Sequence, residues 1–224
     1  MVCATEGDVK GTVRRYVMKE PEHVPAQQEV STNRLETLTD GIFAIAMTLL
    51  VFGLSIPDGT PPTQLQTKLY QLLPNVLSVI VSFVILGVVW VATHSQFQYI
   101  RRADHALIWL NLSFLLCVTL VPFSAGVLGR YASQPIAVIL YGSNLVVCLL
   151  FHYGMWWHAT RGGHLVDANL DPHVVRMGTR LAWFAIIAYA VAIGLAFVPV
   201  VSVILYTLIP VPYILGVLYR LLGR

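Results

Sequence analysis

An all-α fold of six membrane-spanning helices is what this sequence predicts, and three observations predict it. Of the 224 residues, 57% are hydrophobic and only 11% charged, and the mean hydropathy is +0.72, which leaves too little polar surface to coat a water-soluble globule. The apolar residues gather into runs of about 20 or more, the length a helix needs at ~1.5 Å per residue to cross ~30 Å of hydrocarbon. Between the runs stand short stretches rich in Gly, Pro and charge.

The first helix falls near 36–56 and is ended by "PDGTPP". The second, near 71–98, stops at "RRAD", and the third, near 105–128, at "GRYASQP". A fourth runs near 135–159 up to "RGGHLVDANLDP". Residues 181–219 are almost continuously apolar and too long for one span, so a tight hairpin at Pro199 divides a fifth helix (176–198) from a sixth (200–219). Residues 1–33 mix acids and bases around no apolar core, and no cleavable signal peptide is visible in them. They read as a polar tail ahead of one six-helix domain, 34–224.

Six spans put both ends of the domain on one side. That side carries Lys10, Arg14, Arg15, Lys19, Arg34, Arg101, Arg102, Arg161, Arg176, Arg180, Arg220 and Arg224, against only Lys68 and Arg130 on the other. Twelve against two makes both termini cytoplasmic. The net charge of +3 does not point to nucleic acid, because the basic residues lie in short groups at the ends of apolar runs, where they meet lipid headgroups. Cys117 and Cys148 lie inside apolar runs and Cys3 in the tail, so they read as plain thiols with no disulfide framework and no metal cluster.

The pattern excludes function classes in turn. A transporter carries intramembrane charge, or Gly/Pro breaks at matching places in two halves of the chain. Here Pro74, Pro122, Pro210 and Pro212 do not pair between residues 36–128 and 135–219, and there is no internal repeat. An intramembrane enzyme needs a nucleophile with a base, or metal ligands on one face. His152 and His158 are six apart, on opposite sides of a helix, and with Trp156 and Trp157 they read as an interfacial aromatic belt. A channel remains. On the first helix Ile45, Thr48, Leu49 and Phe52 follow i, i+3, i+4, i+7 and so form one stripe, extended by Gly41 and Leu38. Ordinary helix packing, with the Thr48 hydroxyl bonded back to the Ala44 carbonyl, accounts for the same periodicity. Asp40, at the threshold of the membrane, suits the N-terminal dipole of the helix and reads equally as a solvated helix-start residue.

"RLETLTDGIFAIAMTLLVF" (34–52) and "VVWVATHSQFQYIRRADHALIWLNLSFLLCVTLVPFSAGVLGRY" (88–131) resemble the first three helices of the lysosomal and prokaryotic potassium channels of the transmembrane protein 175 type. Arg34 and Asp40 match the family's Arg and Phe-Ser-Asp motif, with Leu38 and Thr39 where it has phenylalanine and serine. Trp90 to His94 matches its Trp-(x3)-His, and Trp109 to Asn111 its Trp-Leu-Asn. The resemblance implies a homotetramer in the cell membrane, permeant to potassium, without cofactor and without a TVGYG filter loop; this sequence contains no such loop. It implies that the first helix lines the pore, with an apolar constriction at Ile45, Leu49 and Phe52 and a pore threonine at Thr48. Phe52 stands where leucine is more usual. It also implies a polar network of Thr39, Asp40, His94 and Asn111, introduced by Arg34. Rings of apolar side chains close a pore by dewetting, and a ring of hydroxyls replaces part of an ion's water shell with modest selectivity. The competing expectation is a secondary or proton-linked transporter using Asp40 and His94 as a relay, and after it a non-conducting scaffold.

Overall fold

The computed structural model describes residues 32–56, 59–163, 165–167 and 170–222, with side chains as far as residue 216. The tail expected over 1–33 therefore lies, but for its last two residues, outside the described residues, as do Cys3, Lys10, Arg14, Arg15, Lys19, Arg224 and the side chain of Arg220.

In hydrocarbon a backbone has no water to bond, so each apolar run closes its own hydrogen bonds as a helix. The first, α1 (Thr32–Leu49), tightens into a 3-10 turn over Leu50–Gly53. A second 3-10 turn, Pro62–Gln64, leads into the short α2 (Leu65–Gln71). There follow α3 (Leu73–Phe97), α4 (His105–Arg130), α5 (Pro135–Arg161), α6 (Pro172–Gly194), α7 (Pro199–Leu208) and α8 (Val211–Leu222). Among the described residues six stretches are long and apolar enough to cross a membrane: Thr32–Gly53, Leu73–Phe97, His105–Arg130, Pro135–Arg161, Pro172–Gly194 and Pro199–Gly216.

The six expected spans are present, with differences at their ends. The hairpin at Pro199 is there, Leu195–Val198 forming the turn and Pro199 opening α7. Proline suits that place, since the missing N–H is an orphan in the first turn anyway, and Pro135 and Pro172 open α5 and α6 in the same way. The fifth span starts at Pro172 rather than 176, because the Asp171 carboxylate caps it, accepting from the His173 N–H at 2.7 Å. The sixth is not one helix. Pro210 and Pro212 remove two backbone donors and divide it into α7 and α8. The second span is preceded by α2, a separate amphipathic segment.

The center of the molecule is α4, which packs on α1, α3 and α5; α6 joins through α5, and α7 lies against α6 and α5. Phe43, Phe114, Leu107, Val118, Val121, Val138, Tyr141 and Tyr206 are fully enclosed in this core. Hydroxyls stitch the helices across it. Ser78 donates to the Ala125 carbonyl at 2.8 Å, Ser82 and Tyr141 share a bond at 2.9 Å, and Tyr206 donates to the Val138 carbonyl at 3.0 Å. Tyr206 reaches that carbonyl only because position 142 is glycine: a methyl there would overlap the Tyr206 hydroxyl and come within 2.6 Å of Ile193 Cγ1. Gly142→Ala is expected to cost about 1–3 kcal/mol, the range for overpacking. Thermal unfolding in detergent checks this, and an unchanged Tm would refute the close seat of α7 on α5.

Candidate functional site

Two faces of α1 behave differently. Leu35, Thr39, Phe43, Ala46 and Leu50 are buried, a stripe at helical spacing that packs inward, with Phe43 against Phe114 on α4 at 5.9 Å between ring centroids. The stripe expected to line a pore lies on the other side: Ile45 is 54% exposed, Leu49 42% and Phe52 76%, and Thr48, Gly41 and Leu38 are exposed with them. The Thr48 hydroxyl donates to the carbonyl of Ile45 at 2.8 Å, not to that of Ala44. With its one proton spent on the backbone, the oxygen keeps its lone pairs for a cation or water.

The polar residues at the start of α1 sort into two groups. Thr39 and Asn111 are both buried. The Thr39 proton goes to the Leu35 carbonyl at 2.8 Å, and the Asn111 amide donates to Thr39 Oγ1 at 3.3 Å. Thr39→Val keeps the shape and leaves that buried amide without its acceptor. The expected loss is about 1–3 kcal/mol, read as a drop in Tm, and a smaller drop in a background already carrying Asn111→Leu. On the outer side, Asp40 accepts from Trp90 Nε1 at 2.8 Å, and His94 Nδ1 meets Glu36 Oε1 at 3.0 Å. The structure thus joins Thr39 to Asn111 but gives Asp40 and His94 separate partners, Trp90 and Glu36, neither of them among the expected site residues. Trp90 and His94 stack one turn apart on α3, with centroids 5.9 Å apart and planes at 21°. Arg34 is exposed in the first turn of α1. The signal for Trp90 and Glu36 was in the spacing: each stands four residues before a member of the network.

The connections at the same end are clasped together. Asp104 caps α4, accepting from the Leu107 N–H at 2.8 Å, and its other oxygen meets His158 Nε2 at 2.8 Å. Ile100 and Val166 form an isolated antiparallel bridge, the Arg101 N–H donates to the Leu165 carbonyl at 2.7 Å, and Arg101 pairs with Asp167 at 3.7 Å. The expected aromatic belt divides accordingly. Trp157 is exposed under the Arg161 guanidinium at 4.5 Å, whereas Trp156 is buried and His152 packs on Phe114 at 5.5 Å. Among the described residues no group of three or more His, Cys, Asp or Glu could hold a metal ion. A cavity of about 410 Å³ lies between α3, α5, α6 and the α7–α8 break, and no residue of α1 lines it.

Residues 34–122 match the family model described as endosomal/lysosomal potassium channel TMEM175. A protein of Streptomyces collinus named a potassium channel is 36% identical over 173 residues, 75% of this chain and 83% of its own length. The chain belongs to the TMEM175 family. A solved structure of a lysosomal potassium-selective channel TMEM175 homolog from Chamaesiphon minutus superposes with a TM-score of 0.75 at 30% identity, over 83% of this chain and 97% of that one. The human TMEM175, named an endosomal/lysosomal proton channel, is 22% identical over 82% of this chain and 38% of its own length. Every residue expected in the pore stripe and the polar network falls inside the stretch matched by the TMEM175 model. The 173-residue sequence match and the structural superposition both reach past residue 122 into α5, so the likeness to TMEM175 proteins extends beyond the stretch that the family model matches. The protein is thus a multi-pass membrane protein of an ion-channel family.

Proposed function

We propose that this TMEM175-family chain forms a homotetrameric potassium channel in the cell membrane, with both termini cytoplasmic and a pathway running along the exposed face of α1. The observation that carries this reading is the division of α1 into a buried stripe and an exposed apolar stripe broken by one hydroxyl. That face is exposed in the single subunit, and the cavity lined by α3, α5 and α6 does not touch it, which favors a pathway along α1 formed between copies of the chain. In it Ile45, Leu49 and Phe52 make an apolar constriction that closes by dewetting, and Thr48 offers an oxygen to the ion between them. The names carried by the bacterial relatives favor potassium as the permeant ion.

Reconstitution into liposomes tests the reading. Flux down a potassium gradient, rising with the gradient without saturation, is the expected result; saturating, ion-coupled uptake would mean a carrier. The carrier reading gains no support from the geometry, since its two relay residues face Trp90 and Glu36 rather than each other. Thr48→Val removes the hydroxyl and keeps the shape. The potassium-to-sodium permeability ratio is expected to fall by about two- to tenfold, the worth of one neutral polar contact of about 0.5–1.5 kcal/mol, while conduction persists. An unchanged ratio would reduce Thr48 to a back-bonded helix residue.

A further inference from the structure

Arg176 and Arg180 take no part in the function proposed above. They stand one turn apart on α6, both are exposed, and neither pairs with an acid among the described residues. Beside them lies the cavity of about 410 Å³ between α3, α5, α6 and the α7–α8 break. We propose that the two guanidiniums and the cavity together bind one anionic phospholipid, its phosphate held by Arg176 and Arg180 and one acyl chain laid in the cavity. The site rests on the chain being a membrane protein; its assignment to the cytoplasmic leaflet rests on the orientation proposed above.

Shape, chemistry and place each point to that ligand. On α3 the lining runs from Ile85 to Gln98, and on the antiparallel α6 from Tyr189 back to Val174, so the cavity is a slot about 20 Å long lying along the helices. One leaflet of hydrocarbon is ~15 Å deep. The slot therefore matches an extended chain with the glycerol above it, where a compact solute would leave most of it empty. Among the described residues no Lys, Arg, Asp or Glu lines it. Polar groups near its mouth are engaged within the protein: Ser95 donates to the Val91 carbonyl at 2.9 Å, and Gln96 to the His152 carbonyl at 3.3 Å. The rim on α6, Met177, Leu181 and Phe184, is exposed, so the slot opens sideways toward lipid. Since α6 joins the bundle through α5 and no residue of α1 lines the slot, assembly around α1 leaves that opening on the outside. Arg180 adjoins the rim, three residues from Met177 and four from Phe184. Residues 181–195 carry no charge, which puts Arg180 where the hydrocarbon begins. There an arginine lays its stem on apolar surface and turns its guanidinium to the headgroups, whose phosphate it grips with two parallel hydrogen bonds.

Thermal unfolding of the whole protein in an uncharged detergent tests the site. Dioleoyl phosphatidylglycerol is expected to raise Tm at about ten- to thirtyfold lower concentration than dioleoyl phosphatidylcholine, which has the same chains and no net charge. Arg176→Gln and Arg180→Gln should each forfeit about fivefold of that preference, and the double variant should lose it. Arg130→Gln, at the other end of the bundle, should keep it. Ala185→Leu fills the slot from α6 and should remove the response to both lipids; if it does not assemble, Ala182→Leu makes the same test nearer the mouth. Glycerol phosphate carries the anion without the chains and should leave Tm unchanged. Equal responses to the two lipids, a preference that survives the double arginine variant, or slot variants that respond like the native protein would each overturn the proposal. Stabilization by glycerol phosphate as large as that by the lipid would make the occupant a soluble anion and overturn it too. None of these measurements needs conduction, so the channel reading and the lipid site stand or fall separately.

Discussion

Replacing Ile45 by asparagine is expected to raise potassium flux by about tenfold or more, because in the proposed tetramer four amides at one level would keep water in a constriction that four isoleucines would expel. The substitution nearly preserves length, and the site is exposed in the single subunit, so folding should be little disturbed. Leu49→Asn should act in the same direction. Ala46→Asn, one residue from Ile45 but on the buried stripe, should instead lower Tm without raising flux, since it forces an amide into packed core. The measurement is flux into liposomes normalized to the amount of assembled protein. If Ile45→Asn assembled normally and left flux unchanged, α1 would not carry the constriction.

The largest loss of stability outside the helix core is expected from Asp104→Ala. One carboxylate does two jobs there, capping α4 at 2.8 Å and holding His158 of α5 at 2.8 Å. An N-cap is worth about 0.5–2 kcal/mol. The contact with His158, at 36% and 29% side-chain exposure, adds no more than about 1 kcal/mol after solvent screening. The clasp formed by Arg101 with Leu165 and Asp167 should loosen as a consequence. A fall of about 0.5–3 kcal/mol in unfolding free energy is therefore expected, with Asp104→Asn recovering the capping part. Equal damage from the alanine and asparagine variants would mean that the cap contributes little.

What the sequence revealed of this molecule follows the range of each interaction. Six apolar runs could be read because burying a backbone in lipid allows one local solution, a helix. The break at Pro210 and Pro212 was visible as two prolines, but whether a proline bends or divides a helix depends on what its neighbors can bond. The Ile45 stripe could be picked out by period, yet Leu35, Thr39, Phe43, Ala46 and Leu50 recur just as regularly, and only contact with α4 decides which stripe turns inward. The pairing of Asp40 was least legible. A tryptophan at the end of an apolar run passes for an interfacial anchor; that Trp90 aims its N–H at Asp40 depends on the angle at which α1 and α3 meet.

In the tetramer proposed above, the 3-10 turn that ends α1 would set the length of the dry stretch an ion crosses. From Ile45 to Leu49 the chain climbs four α-helical residues, about 6 Å; from Leu49 to Phe52 it climbs three residues of the tighter coil at ~2.0 Å each, again about 6 Å. Three apolar rings would then stand at even intervals along an axis of about 12 Å. A 3-10 coil also eclipses residues three apart, which sets the Phe52 ring directly over Leu49 instead of displaced around the helix. Within that proposed column the Thr48 oxygen would lie just below the middle ring, so a cation stripped of part of its water would meet one polar level between two oily ones. Lengthening the helix by regular α-turns through Gly53 would bring Phe52 closer to Leu49 and shift it sideways, shortening the barrier and changing its shape without altering a single residue that faces the ion.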